Sequence, residues 1–343
     1  MNETLPLVSV VIVNWNGKRF LEKNLSSIFN QTYRTFEVIL VDNGSSDGSV
    51  EFVAENFPKT IIIKNKENTG FAAANNQGIK IAKGNYVATL NNDTELDKDW
   101  LKNLASAAAS SDVHVGMWAP KILSLQDPKR IDSVGGLLIY RDGIARGRGR
   151  LEQDKGQYDK VEEILFPSAC SALYRKNMLD EIGYFDEDFF AYCEDTDLGL
   201  RARLAGWKAI SVPHAITFHH YSGTTGKYSQ TKAFLVERNH MWAALKNFPV
   251  TMVLTMPIYT LWRWLIQTIN VIHGKGATSH YVRKISAISI IAVLFNAYVA
   301  AARNIPWILK KRWYIQKKKA VSNKEIRQWF KRYGLSARGV VND

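Results

Sequence analysis

Hydrophobic positions in the first hundred residues gather into short continuous runs, and between those runs apolar residues recur at helical spacing. Residues 7–13, 37–41, 60–64 and 86–90 read as strands, and residues 20–29, 47–56 and 70–83 as helices. Continuous β-branched runs separated by helices predict an α/β fold with a mostly parallel sheet covered on both faces. Ligands of such sheets sit beyond the carboxyl ends of the strands, so the polar residues after each run come first as site candidates. After Trp118 the pattern loosens. Residues 119–166 contain the Gly- and Arg-rich stretch GGLLIYRDGIARGRGR and read as a loop excursion near the site. Helices are expected near 175–182 and 195–205, and longer apolar segments at 250–272 and 285–302.

A chain of 343 residues suits a domain of about 240 residues with an appendage, here divided at 1–235 and 236–343. Cys170 and Cys193 make no framework of paired spacings, which fits a reducing compartment. The start, MNETLPLVSVVIVNWNG, lacks a basic n-region and a cleavage site, and its apolar run is too short to span a bilayer. The first domain is therefore expected in the cytoplasm. Net charge is +13, and it is uneven. Eleven Lys or Arg between Arg303 and Arg332 face one acid, Glu325, so this segment carries +10. Such a local excess points to an anionic surface touched by one end of the molecule. A solvated basic tail and a nucleic-acid contact are the alternatives.

Four places carry candidate chemistry. Asp42, in VDNGSSDGS at the end of the second strand, can accept hydrogen bonds from a base or ribose; equally, it can cap a turn. Asn91, Asn92 and Asp93 follow the run YVATL. A departing diphosphate needs its charge offset, and Mg²⁺ or Mn²⁺ takes oxygen ligands while keeping waters and phosphates in its shell. One carboxylate, Asp93, suffices for that; a capped turn would look the same. Glu194, Asp195 and Asp197 cluster at a helix start, either to complement the helix dipole or to supply a general base for an acceptor hydroxyl. His219 and His220 precede YSGTTG, and a His there can complete a metal shell beside Asp93 or touch a phosphate.

Taken in order, VSVVIVNWNG, VDNGSSDGS, NTGFAAANNQGI, LNNDTEL, GYFDEDFFAYCEDTDLGLR and HHYSGTTG resemble the family 2 glycosyltransferases, which have the GT-A fold. They span about the first 225 residues. The resemblance implies that Asn14, Asp42, Gly70, Asn75 and Asn92 lie on the donor side. It makes Asp93 the metal ligand that ends the DxD element, Asp195 the catalytic base, Glu194 a supporting acid and His219 a metal or diphosphate contact. It also implies inverting displacement, a divalent cation and a nucleotide-sugar donor. The DxD is reduced here to Asn91-Asn92-Asp93, and the QxxRW motif of processive members is absent. VERN, with Arg238, is the nearest equivalent, which favours single additions. The layout looks most like rhamnosyltransferases of cell-surface glycans, with dTDP-rhamnose as first donor.

Segments 250–272 and 285–302 are long enough to span, but Arg263 sits mid-segment and their connecting loop carries Lys275, Arg283 and Lys284. The positive-inside rule disfavours a hairpin with that loop outside. Helices lying in the interface are expected instead, followed by the basic segment with Trp307, Trp313, Tyr314, Trp329 and Phe330. The alternative is a helical subdomain packing against itself. A lipid-linked or envelope glycan acceptor at the cytoplasmic membrane face follows from that location. Nucleic-acid binding is the weaker use of the basic segment, since no recognised module appears. Strand one lacks the G-x-G-x-x-G turn of dinucleotide-dependent oxidoreductases. A sugar-nucleotide-binding relative without catalysis stays open.

Overall fold

The computed structural model describes residues 6–220, 229–274 and 286–341. The strands are β1 (Val8–Asn14), β2 (Phe36–Asp42), β3 (Ile61–Lys64), β4 (Tyr86–Asn91), β5 (Thr94–Leu96), β6 (Val115–Ser124), β7 (Ile131–Val134), β8 (Leu137–Ile139), β9 (Ala145–Gly147), β10 (Glu163–Ile164), β11 (Ser171–Arg175) and β12 (Lys208–His219). Helices α1 (Lys18–Phe29), α2 (Ser49–Asn56), α3 (Phe71–Ile81), α4 (Trp100–Ser110), α5 (Lys176–Ile182) and α6 (Glu194–Leu204) are interleaved with them. The chain continues with α7 (Gln230–Asn247), α8 (Val250–Ile272), α9 (Ala287–Arg303), α10 (Ile305–Lys317), α11 (Asn323–Arg332) and α12 (Ala337–Val341).

One large sheet runs in the order β10-β12-β6-β11-β4-β1-β2-β3. Strands β3, β2, β1 and β4 are parallel neighbours, and β6 and β12 form a second parallel pair. Between them β11 is inserted antiparallel to both β4 and β6. The β-branched runs of β1 and β2 are buried because both sheet faces are covered. On one face Leu21, Leu25 and Ile28 of α1 meet Trp100 and Leu104 of α4. On the other, one apolar cluster runs from Val11 and Val41 through Phe166, Phe189 and Leu198 to Trp242, Phe248, Ile308 and Trp329. The C-terminal helices therefore share a core with the sheet.

Residues 119–166 are not the loop that their composition suggested. The strand β6 stays buried through Leu123, and the Gly/Arg-rich stretch forms the β8–β9 hairpin. Its charges are matched locally: Lys121 with Asp154 and Asp159, Arg148 with Glu162, Arg150 with Asp132. Trp329 and Phe330, expected at a membrane, are instead buried, and Phe330 packs edge-on against Phe248. The connecting loop with Lys275, Arg283 and Lys284 lies outside the described residues.

Arg263, a costly charge for an apolar helix exposed to lipid, is fully buried in protein. Its guanidinium donates to Asp142 Oδ2 at 2.6 Å and to both Glu237 oxygens at 2.8 and 2.9 Å. This cluster fastens α8 to α7 and to the β8–β9 turn. Removing one member of a buried ion pair leaves its partners uncompensated, at a cost of about 3–5 kcal/mol. Arg263→Met is accordingly expected to lower unfolding stability by about 3–5 kcal/mol in chemical denaturation. A loss below about 1 kcal/mol, the value of a surface pair, would show that the cluster does not secure α8.

Candidate functional site

Strand register brings the first group together. Asn14 pairs with Asp42 across β1 and β2, and Val13 pairs with Asn91 across β1 and β4, so three strand ends finish level. The Asn14 amide donates to Asp42 Oδ1 at 3.0 Å and accepts from Asn92 Nδ2 at 2.7 Å. A buried polar row, Asp42–Asn14–Asn92, thus crosses the carboxyl edge of the sheet. Gly17 lies against this row, and a Cβ there would overlap the Asn92 amide and Asn14 Oδ1. Asp42 Oδ2 also accepts from the Ser45 amide at 3.0 Å, so the turn-forming role is real and coexists with the edge position.

Gly70 stands immediately before α3 with φ +88°, and a Cβ there would come within 2.6 Å of the Phe190 ring and carbonyl. Its backbone is organised by Asn43, whose amide donates to Gly70 O at 3.2 Å and accepts from the Thr69 N–H at 3.0 Å. Asn75 lies one turn further in, buried, with Nδ2 turned back to Phe71 O at 2.9 Å.

A second group forms where β12 pairs antiparallel with β5, opposing His219 to Thr94. His219 Nε2 is 3.4 Å from Asp93 Oδ1, and its Nδ1 is 2.7 Å from Asp132 Oδ2. Arg150 pairs with Asp132 in turn. Burial opposes a charged imidazole here, but Cys170, Asp132 and Asp93 outweigh it and raise the His219 pKa well above its usual value. A carboxylate that holds one ring nitrogen and leaves the other toward an acid is the usual setting of a metal-binding His. No group of three or more His, Cys, Asp or Glu suited to a metal occurs among the described residues. Asp93 and His219 fit a hard divalent cation that takes its remaining ligands from phosphates and water. Asp93 itself lines a cleft together with Arg19, Phe20, Lys23, Asn92 and His220. Residues 221–226 of HHYSGTTG lie outside the described residues.

The three acids at the start of α6 separate by their partners. Asp197 is buried against Lys246 at 2.8 Å, Arg201 at 2.8 Å and the Asn247 amide at 2.9 Å, which makes it a structural anchor. Neither Glu194 nor Asp195 has an ion-pair partner among the described residues, and buried Glu194 Oε2 has no hydrogen-bond partner there. Burial, then the neighbouring Asp195 charge, pushes the Glu194 carboxyl well above its usual range. Burial likewise raises Asp195, although it accepts from the Ala169 N–H at 3.3 Å and the Thr196 N–H at 2.7 Å. A carboxylate with a raised pKa and no cation beside it is suited to take a proton.

Segment 169–171 links the two groups. Cys170 O accepts from Asn91 N at 2.9 Å, and Ala169 O accepts from Thr89 Oγ1 at 2.9 Å. Because the Ala169 N–H donates to Asp195, the acid pair is tied to the strand that ends in Asn92-Asp93. Asp132 stands out in no sequence pattern, and Asn43, although within VDNGSSDGS, has no role of its own readable there. The only sign of either would be a carboxylate or amide whose partner lies 87 or 27 residues away.

Comparison with known proteins places this geometry. The family model for glycosyl transferase family 2 matches residues 9–183, just over half of the chain. An N-acetylglucosaminyl-diphospho-decaprenol L-rhamnosyltransferase of Mycobacterium tuberculosis is 29% identical over 281 residues, 71% of this chain and 87% of that protein. A mannosyltransferase of Pyrobaculum calidifontis, solved with GDP-Man and Mn²⁺, superposes with TM-score 0.54 at 18% identity, covering 94% of this chain and 88% of its own. GalNAc-T7, solved with UDP, GalNAc and Mn²⁺, superposes with TM-score 0.56 at 17% identity, over 71% of this chain and 48% of its own. The chain is a member of glycosyl transferase family 2, with the GT-A fold.

Proposed function

We propose that this glycosyltransferase moves a sugar, rhamnose from dTDP-rhamnose in the first instance, onto a lipid-linked glycan at the cytoplasmic membrane surface. One observation carries the proposal: the Ala169–Cys170 backbone ties an acid pair without cations to the strand end that holds Asn92 and Asp93. The similarity to a rhamnosyltransferase whose acceptor is a lipid-linked N-acetylglucosaminyl diphosphate supports the choice of sugar and acceptor class.

In this mechanism Asn14, Asp42 and Asn92 hold the nucleoside side of the donor, with Gly70 and α3, including Asn75, shaping its neighbouring wall. Asp93 and His219 would hold a divalent cation, which when bound offsets the diphosphate charge. The acceptor hydroxyl oxygen attacks the anomeric carbon from the face opposite the diphosphate. The bond to the diphosphate oxygen breaks, a nucleoside diphosphate departs, and the hydroxyl proton passes to the Asp195 carboxylate. Glu194, whose carboxyl is pushed well above its usual range by burial and by the Asp195 charge, stands beside Asp195 as a supporting acid.

The membrane side of the proposal rests on the outer faces of α8, α9 and α10. Leu254, Ile258, Leu261, Trp262 and Leu265 on α8 are exposed, as are Ile288, Ile291 and Phe295 on α9 and Trp313 on α10. A contiguous apolar face of this extent is unusual on a soluble monomer. Lys310 and Lys317 lie beside Trp307 and Trp313, so cations rim the apolar face. No single helix among the described residues is long and apolar enough to cross a membrane. Ile288–Arg303 and Ile305–Lys317 pass only as a pair bent by 58°. Arg263 points to the opposite side of α8, into its buried ion cluster.

Three outcomes are expected. Calorimetric titration against a nucleotide-sugar panel should show binding of one donor that requires Mn²⁺ or Mg²⁺. Asp93→Ala should weaken that binding, whereas Asp195→Asn should leave it and lower turnover about 10²–10⁴-fold. Binding of no donor would dismiss the proposal, and near-normal turnover of Asp195→Asn would dismiss the base. Since the base works unprotonated, kcat/KM should fall with acid through a pKa above the ordinary Asp value of about 4. An acid limb at or below that value would contradict the assignment. Vesicles containing phosphatidylglycerol should float with the protein, and the triple variant L254E/I258E/L261E should stay behind while still binding donor. Equal flotation of the variant would place the membrane contact elsewhere.

A further inference from the structure

The acid pair is presented by a strained segment. Phe190, Tyr192 and Cys193 all have left-handed backbone, with φ of 63°, 70° and 65°, and none is glycine. Such conformations persist only where surrounding contacts over-determine them. Among the described residues, the side-chain hydrogen bonds to this segment's carbonyls come from two consecutive residues of α7. The Asn239 amide, wholly buried, donates to Phe189 O at 2.9 Å, Ala191 O at 2.9 Å and Tyr192 O at 2.8 Å. Arg238 donates to Asp188 O at 3.3 Å and Phe189 O at 3.1 Å. The remaining carbonyls go to Ala72 N, from Phe190, and to Asp197 N, from Cys193.

Arg238 has a second task. Its Nε donates to Asn239 Oδ1 at 2.8 Å, so the acceptor end of the amide is occupied and the NH₂ end faces the carbonyls. The guanidinium is itself fixed over the Trp242 ring at 4.3 Å. A carboxylate at 239 would have the same size but would direct lone pairs at lone pairs, whereas a neutral donor fits.

We propose that Asn239, oriented by Arg238, is a positioning residue that holds the 189–193 segment so that Asp195 faces the acceptor hydroxyl. This role rests on Asp195 being the base. It also gives Arg238 and Asn239 of the VERN tetrad a function. Displacing a reacting group by about 1 Å costs on the order of 10²-fold in rate.

The test measures nucleoside diphosphate release from the donor selected by the panel, with Mn²⁺ and an N-acetylglucosaminyl-diphospho-polyprenol acceptor. Asn239→Asp is expected to lower kcat about 10²-fold while donor KM and donor binding hold, with the unfolding midpoint lowered by the buried carboxylate but the protein still folded at the assay temperature. Asn239→Ser, a shorter donor, should fall between Asn239→Asp and the native protein. In the Asp195→Asn background, Asn239→Asp should cost nothing further, because groups acting as one unit are not additive. Full additivity in that cycle, or a native kcat in Asn239→Asp, would overturn the positioning role. So would loss of folding or donor binding in both single variants, which would make Asn239 a general structural residue. Failure of the base assignment reads differently: Asp195→Asn alone would keep its rate.

Discussion

Leaving a carboxylate buried without a cation is unfavourable; among the described residues most buried acids have one, Asp42 is held by amide donors instead, and the pair at the start of α6 stands apart. Asp142 and Glu237 share Arg263; Asp186 shares Lys246 and Lys311; Asp197 has Lys246 and Arg201. Glu194 and Asp195 have amides, hydroxyls and each other. Their raised pKa values are the direct result of that difference. The protein supplies cations to Asp197 on the same helix and withholds them from these two, so the contrast belongs to the site rather than to poor packing.

Helix α7 is where the constraints meet. Over four consecutive residues it contributes Glu237 to the Arg263 cluster, Arg238 and Asn239 to the segment before the acids, and His240 to Asp142 O at 2.8 Å. The helix with the exposed apolar face and the segment bearing Asp195 are therefore fastened to opposite sides of one turn. On the proposed membrane-surface reading, such a connection would keep Asp195 at a fixed height above the lipid, within reach of an acceptor hydroxyl tethered close to the bilayer. Lys311 adds a second strut, bonding Asp186 and Asp188 just ahead of the strained segment.

What the sequence made legible follows from the range of the interactions involved. Strands β1, β2 and β4 were readable because burial on both faces leaves continuous apolar runs, β3 by its Ile run at the sheet edge, and α8 because a long apolar helix announces its own length. The polar residues after those strands did gather at one edge, as parallel register requires. Residues 119–166 misled because Gly and Arg signal loops only when their charges face water; here Lys121, Arg148 and Arg150 have acids close by in the same stretch. Arg263 looked expensive for the same reason in reverse, since its partners stand 121 and 26 residues away. Asn239 was visible only as the last residue of VERN, beside the more conspicuous Arg238, because an amide inside a helix looks like any other polar residue until the carbonyls it serves are seen.

A single displacement driven by a carboxylate at the start of α6 is tested most directly by product stereochemistry. Proton NMR of the first sugar product, taken before anomeric equilibration or on the glycosidic product itself, reveals the configuration at the transferred carbon. Inversion relative to the donor is the predicted result. Retention would require a second displacement or a front-face route, and would contradict Asp195 as the base that activates the acceptor hydroxyl.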